Sequence, residues 1–159
     1  MVRACAALGS NAPDARARLA AARDALRAEF AGLRCSSVYR SADHTGGAAP
    51  YLNAVVMFDT ALAPDELRGR FRALEAAAGL LRDGSGEVSL DIDLLLYGER
   101  VDAGPPVLPH PDVLGAPHVL APLAALAPAL RHPVTGERMS GSWARRPPHW
   151  PVPEDLGTL

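Results

Sequence analysis

Apolar residues recur along this chain at two spacings, and the switches between them lay out its elements. The run from Val2 to Leu8, closed by Gly9-Ser10-Asn11, predicts a strand ended by a turn. Leu19, Ala22, Leu26 and Phe30 fall at helical spacing, which predicts a helix from about Ala15 to Phe30 with Asp14 at its N-cap. Leu33 to Arg40 reads as a second strand, and Ser41 to Pro50 as a loop by composition, of the kind that often carries binding residues. Tyr51 to Thr60 predicts a third strand. Pro64 then opens a second helix containing Leu67, Phe71, Leu74 and Ala78 and ending at Gly79. A polar loop from Leu80 to Val88 leads into Ser89-Leu90-Asp91-Ile92-Asp93-Leu94-Leu95-Leu96-Tyr97-Gly98, a period-two strand closed by glycine. Another loop runs to Pro109-His110-Pro111-Asp112. A short helix is predicted from Val119 to Leu126, with Pro122 near its first turn. Past Pro133 the chain is rich in Pro, Gly and Arg, and irregular structure anchored by Trp143 or Trp150 is expected.

Helices returning between strands imply an α/β (α+β) sandwich, ferredoxin-like in topology, with helices packed on a mostly antiparallel sheet. A length of 159 residues fits a single domain spanning 1–159, with an irregular tail over 134–159. The 48% apolar and 21% charged content is that of an ordinary globular protein. The formal net charge of -2 gives no ground for a nucleic-acid or anionic-membrane partner. All 16 basic residues are arginine, so no lysine can clamp a phosphate or form a Schiff base, and cationic chemistry falls to arginine or metal. Cys5 and Cys35 lie in apolar, strand-like contexts with no secretory signal before them, and read as two buried, reduced thiols, with a bridge between them as the alternative. No apolar run approaches a membrane span, and a soluble, cytoplasmic protein is expected.

The alternation through Leu90, Ile92 and Leu94 sends those three to a core and Asp91 and Asp93 together to the opposite face. Adjacent carboxylates repel unless a cation sits between them. Oxygen ligands suit Mg²⁺, which uses one or two carboxylates plus water and substrate phosphates. The stretch therefore points to metal-assisted phosphate chemistry. Two solvated aspartates on an exposed sheet face are the alternative.

Further motifs stand in order around this strand: Ala7-Leu8-Gly9-Ser10-Asn11, Ser36-Ser37-Val38-Tyr39-Arg40-Ser41, Tyr51-Leu52-Asn53-Ala54-Val55, Leu108-Pro109-His110-Pro111-Asp112 and Leu120-Ala121-Pro122-Leu123. Together with Leu90–Gly98 they resemble the 6-hydroxymethyl-7,8-dihydropterin pyrophosphokinase family of folate biosynthesis. The likeness runs from Ala7 to about Pro133, which sets a core over about 1–133. It implies a ferredoxin-like sandwich and transfer of the β,γ-diphosphate of ATP to a pterin hydroxymethyl group, releasing AMP. It also implies two Mg²⁺ ions bridged by Asp91 and Asp93, with ATP met by Glu75, Arg82, Ile92 and His110. The pterin-like substrate falls to Tyr51, Asn53 and the loop from Ser41 to Thr45, which contains His44. The departures lie just upstream of the aspartates, where the family carries several arginines and a tryptophan. Here only Arg82 remains of the basic set, with Leu80 and Val88 at two arginine positions. Ala116-Pro117-His118 replaces the family's Arg-Gly-Phe, so His118 stands where an aromatic stacks on the pterin. Arg82, Arg72 or Arg40 would then compensate in an active enzyme. A different heterocyclic acceptor and a binding protein without catalysis are the alternative readings. Monomer and homodimer both remain open.

Each candidate also has a plain reading. His110 between two prolines could be a turn residue, His118 an ordinary half-buried side chain and His44 a solvated loop histidine. Asn53 could serve a neighbouring loop, though its amide can donate and accept as a pyrimidinone edge requires. Tyr51 could be core, and Glu75 a solvated helix residue. Gly9-Ser10-Asn11 is read as structural. Arg145, Arg146, His132 and His149 are expected to be solvated.

Overall fold

The computed structural model describes residues 1–41, 49–79 and 87–159. The predicted site residues His44 and Arg82, with most of the 80–88 loop, lie outside them. Strand β1 (Val2–Ser10) is followed by helix α1 (Ala15–Glu29), β2 (Ala31–Cys35), β3 (Tyr39–Arg40), β4 (Leu52–Thr60), α2 (Pro64–Ala77) and β5 (Asp91–Tyr97). Helices α3 (Asp112–Gly115), α4 (Pro117–Leu126) and α5 (Met139–Ala144) come next, and β6 (Glu154–Asp155) closes the chain. The sheet runs β5-β1-β4-β3-β6, with β2 also paired to β4, and every strand pair is antiparallel. The α/β sandwich with a mostly antiparallel sheet is thus as expected, and β5-β1-β4-β2 is the strand order of the ferredoxin-like split β-α-β.

The sheet buries both faces. On one, Leu19, Ala22 and Leu26 of α1 and Leu67 and Phe71 of α2 meet Ala4, Ala6, Leu8, Val56, Phe58, Leu90, Ile92 and Leu94. Phe30 stacks on Phe58 with ring centroids 4.6 Å apart. On the other, Val119, Leu120 and Leu123 of α4 and Met139 of α5 cover Cys5, Val55, Met57, Leu95 and Leu96. Leu95 has no partner on β1, because Cys5 pairs with Leu96 and Ala6 with Leu94. This bulge turns Leu95 and Leu96 into the same core. Asp91 and Asp93 stay upstream of it, on the face that α4 covers only at the Leu95 end.

Several local expectations are corrected. Asp14 stands at the N-cap of α1 without capping it, since its carboxylate accepts from Arg18 Nε at 2.7 Å. The segment from Leu33 to Arg40 is two strands. Ser36 interrupts it, its N–H donating to Val55 O and its Oγ accepting from Val55 N. Helix α4 begins at Pro117, so Pro122 is interior. The tail is ordered: α5 joins the second core, and β6 pairs with β3. Arg16 and Arg23 donate to the carbonyls of Thr158 and Leu159, holding the last residues against α1. His132 is buried, its Nδ1 accepting from Val134 N and Thr135 N, and burial lowers its pKa. Arg145 is exposed as expected and pairs with Glu137 at 2.6 Å, while Arg146 is half-buried and lies over the Trp143 ring at 4.1 Å. Cys5 is buried and Cys35 half-buried, both free thiols. No helix among the described residues is long and apolar enough to cross a membrane.

Candidate active site

The site is built on the register of three strands. Gly9 of β1 pairs with Asn53 of β4 on one side and Asp91 of β5 on the other. One step along, Ala7 pairs with Val55 and Asp93. Directly paired residues point to the same face, so Asp91 and Asn53 stand in one row two strand spacings apart, about 10 Å. Between them is a strand that presents a glycine and an alanine. A Cβ at Gly9 would come within 3.3 Å of Asn53 Oδ1 and 3.8 Å of Tyr51 Cδ1. The missing side chain therefore keeps a shallow floor between the carboxylates and the amide.

Strand β5 is the sheet edge, so its outward backbone groups need partners. Glu75, reaching from α2, accepts from Ile92 N at 2.9 Å, and His110 N donates to Leu95 O at 2.8 Å. Glu75 thus ties α2 to the residue between the two aspartates. Burial raises the Glu75 pKa, the Ile92 N–H opposes the rise, and Asp91 adds to it. Burial also raises the Asp93 pKa, with the charge of Asp91 adding and His110 opposing. Asp91 is a neighbouring carboxylate that raises the pKa of both Glu75 and Asp93. Carboxyls so placed must share a proton or face a cation.

His110 Nδ1 accepts from Asp112 N at 3.1 Å. A neutral ring accepting at Nδ1 carries its proton on Nε2, which makes the other edge of the ring a donor. The ring borders a cavity of about 660 Å³ lined by Glu75, Asp91, Ile92, Asp93 and His110, by Arg68 and Arg72 of α2, by Asp112, and by the Ala103–Val107 loop. Six residues named from the sequence meet there: Glu75, Asp91, Ile92, Asp93 and His110, with Arg72 as a candidate cation. Ser41, Tyr51, Asn53 and His118 are not in that lining. The first three cluster further along the row: Asn53 Nδ2 donates to Ser41 Oγ at 3.2 Å, and Ser41 N donates to Tyr51 O at 3.0 Å. His118 is half-buried on the first turn of α4.

Arg68, Asp112 and the loop wall had no part in the sequence-derived site, nor had Gly9 as a spacer. The helical spacing of Arg68, Arg72 and Glu75 was the one available signal, since positions i, i+4 and i+7 share a face. The structural reading of Gly9-Ser10-Asn11 holds for its last two residues. Asn11 Oδ1 accepts from Val88 N at 2.5 Å, and Asn11 N and Ser10 Oγ donate to Val88 O. They fasten the chain just before β5.

The donor chemistry fits a hard cation. Among the described residues neither Asp91 nor Asp93 forms an ion pair with an arginine. No group of three or more His, Cys, Asp or Glu among them is arranged to hold a metal alone. A pair of carboxylates beside an open cavity is what Mg²⁺ shares with phosphate oxygens and water.

Known proteins have similar sequences. A protein from Methylorubrum extorquens named 2-amino-4-hydroxy-6-hydroxymethyldihydropteridine pyrophosphokinase is 41% identical over 138 residues, covering 82% of this chain and 85% of the relative. One of the same name from Pseudomonas aeruginosa is 39% identical over 133 residues, covering 80% and 82%. Another, from a Synechocystis strain, is 37% identical over 106 residues, covering 65% of this chain and 54% of the relative, so the chain spans about half of that protein's length. Residues 5–128 match the 7,8-dihydro-6-hydroxymethylpterin-pyrophosphokinase family, and with the Asp91/Asp93 strand, Glu75, His110 and Asn53 standing on one end of the sheet, the chain belongs to that family.

Proposed function

We propose that this protein transfers a diphosphate from ATP to the hydroxymethyl group of a 6-hydroxymethyl-dihydropterin, releasing AMP, with Mg²⁺ held by Asp91 and Asp93. The observation that carries this reading is the row Asp91–Gly9–Asn53, which sets a carboxylate pair and an amide at opposite ends of a floor that Gly9 leaves without a side chain. The acceptor oxygen bonds to the β-phosphorus, the bond from that phosphorus to the α,β-bridging oxygen breaks, and the hydroxyl proton is released. Bound Mg²⁺ supplies charge neutralisation on the phosphate oxygens and alignment for an in-line displacement.

The chain's own groups set the geometry. Glu75 fixes the height of β5 through Ile92 N, and with it the positions of Asp91 and Asp93. His110 offers Nε2–H to a phosphate oxygen while Asp112 N holds the ring through Nδ1. Asn53 has Oδ1 turned toward the floor and Nδ2 engaged by Ser41, which lets the amide read a heterocycle edge. Tyr51 flanks the same spot. The test is direct: purified protein with ATP, MgCl₂ and 6-hydroxymethyl-7,8-dihydropterin is expected to release one AMP per pterin diphosphate, followed by phosphorus NMR. ADP as the nucleotide product, or no pterin-dependent AMP, overturns the assignment.

A further inference from the structure

The chain has no lysine, so any fixed positive charge that meets a nucleotide must be an arginine. Nearly every arginine among the described residues is already engaged. Arg3 pairs with Asp59, Arg40 with Glu154, Arg70 with Glu29 and Arg100 with Asp102. Others hold backbone carbonyls, as Arg34 does at Leu126. Arg72 differs: it forms no side-chain hydrogen bond and no ion pair with any described residue, and it lines the same cavity as Asp91, Asp93 and His110. Its position is set from both sides. Glu75, three residues on, is fastened to Ile92 N, and Phe71, one residue back, is buried in the core. The Arg72 side chain therefore leaves a part of α2 that cannot slide along β5. Arg68, one turn earlier, lines the cavity too and meets only Asp65, at 3.9 Å.

We propose that Arg72, with Arg68 beside it, forms a helix-borne cationic wall that binds the polyphosphate chain of the nucleotide opposite the Asp91/Asp93 face. The inference rests on the diphosphate-transfer reading above and assigns it a cation source on α2. A guanidinium kept clear of carboxylates three and four positions away on its own helix and across the cleft can fork onto phosphate oxygens. An exposed, unpartnered arginine also contributes little to the fold, so its replacement isolates the binding role.

Calorimetry with α,β-methylene ATP and MgCl₂ tests this, comparing wild type with Arg72→Ala and Arg72→Lys and repeating each titration with AMP. Arg72→Ala is expected to weaken the triphosphate analogue roughly 10- to 100-fold, to leave AMP binding within about two-fold of wild type, and to leave the melting temperature unchanged. Arg72→Lys is expected to recover part of the loss. Wild type that binds the analogue, with Arg72→Ala binding it equally well, overturns the inference alone. Equal loss of AMP and analogue also overturns it, by moving Arg72 to the nucleoside. Wild type that fails to bind the analogue removes the diphosphate-transfer reading and this inference together.

Discussion

Asp91→Ala and Asp93→Ala are each expected to lower kcat by about 10³-fold or more, with pterin affinity nearly intact. Both carboxylates border the 660 Å³ cavity, and neither has an arginine to pair with among the described residues. In phosphoryl transfer, charge neutralisation by a held cation supplies several kcal/mol. Single-turnover AMP release, read beside pterin binding by fluorescence, separates loss of the metal site from collapse of the whole cleft. Parallel loss of pterin binding would assign the aspartates to scaffold instead. The same pair carries a signed pH dependence. Burial, then Asp91, holds the Asp93 pKa above its ordinary value in the fold. Between the ordinary and the raised value the folded state binds more protons than the unfolded chain. Metal-free stability therefore falls as pH rises through that window, and stays lowered above it. Asp93→Asn is expected to be more stable than wild type at neutral pH without metal, by at most about 1 kcal/mol because the site is partly solvated. The advantage should vanish at a pH below the ordinary carboxylate range. Urea midpoints at two pH values check it, and a destabilised Asp93→Asn at neutral pH would contradict the sign.

Gly9→Val is expected to raise KM for the pterin by about 100-fold while ATP-analogue affinity changes little. Even a single Cβ at Gly9 would stand 3.3 Å from Asn53 Oδ1, and valine adds two methyls over the same floor. Gly9 is strand-paired on both sides, at the end of the β1–β5 ladder and one pair short of the end of the β1–β4 ladder, and its φ is not positive, so a β-branched residue suits the backbone. The loss would be steric and local. Gly9→Ala should fall between valine and wild type. An unchanged KM in both variants would remove the acceptor from this part of the sheet, whereas lost ATP binding would show that the strand itself had moved.

How much of this was legible beforehand follows from which contacts are local. The long strands β1 and β4 announce themselves as apolar runs, the helices α1 and α2 and the Asp91/Asp93 strand by period, and Gly79 and Gly98 close two of these elements at positive φ. The pairing of Asp91 and Asp93 on one face needs only the period of a strand. The floor needs more: Gly9, Asn53 and Asp91 are far apart in sequence, and only the registers of β1 on both neighbours align them. The three leucines Leu94-Leu95-Leu96 hide the bulge, because an all-apolar run shows no change of face. The tail was misread because Glu154-Asp155 are charged, and an edge strand of two residues has no hydrophobic signature. His132 and Arg146 were taken for solvated groups because their partners, the amides of Val134 and Thr135 and the Trp143 ring, are set by a compact C-terminal loop, whereas Arg145 does stay exposed. Arg72 stood beside Arg40 and Arg82 as a candidate cation; Arg40 pairs with Glu154, Arg82 lies outside the described residues, and Arg72 lines the cavity.

The bond from Ile92 N to Glu75 gives the cleft a spectroscopic reporter of its own. That amide proton belongs to the residue flanked by both aspartates, and it ends on a carboxylate whose ionisation is linked to Asp91. Its chemical shift should follow the protonation of the acidic cluster and move again when MgCl₂ is added. A ¹⁵N-labelled sample would then read the charge state of the site at one resonance, before any substrate is supplied.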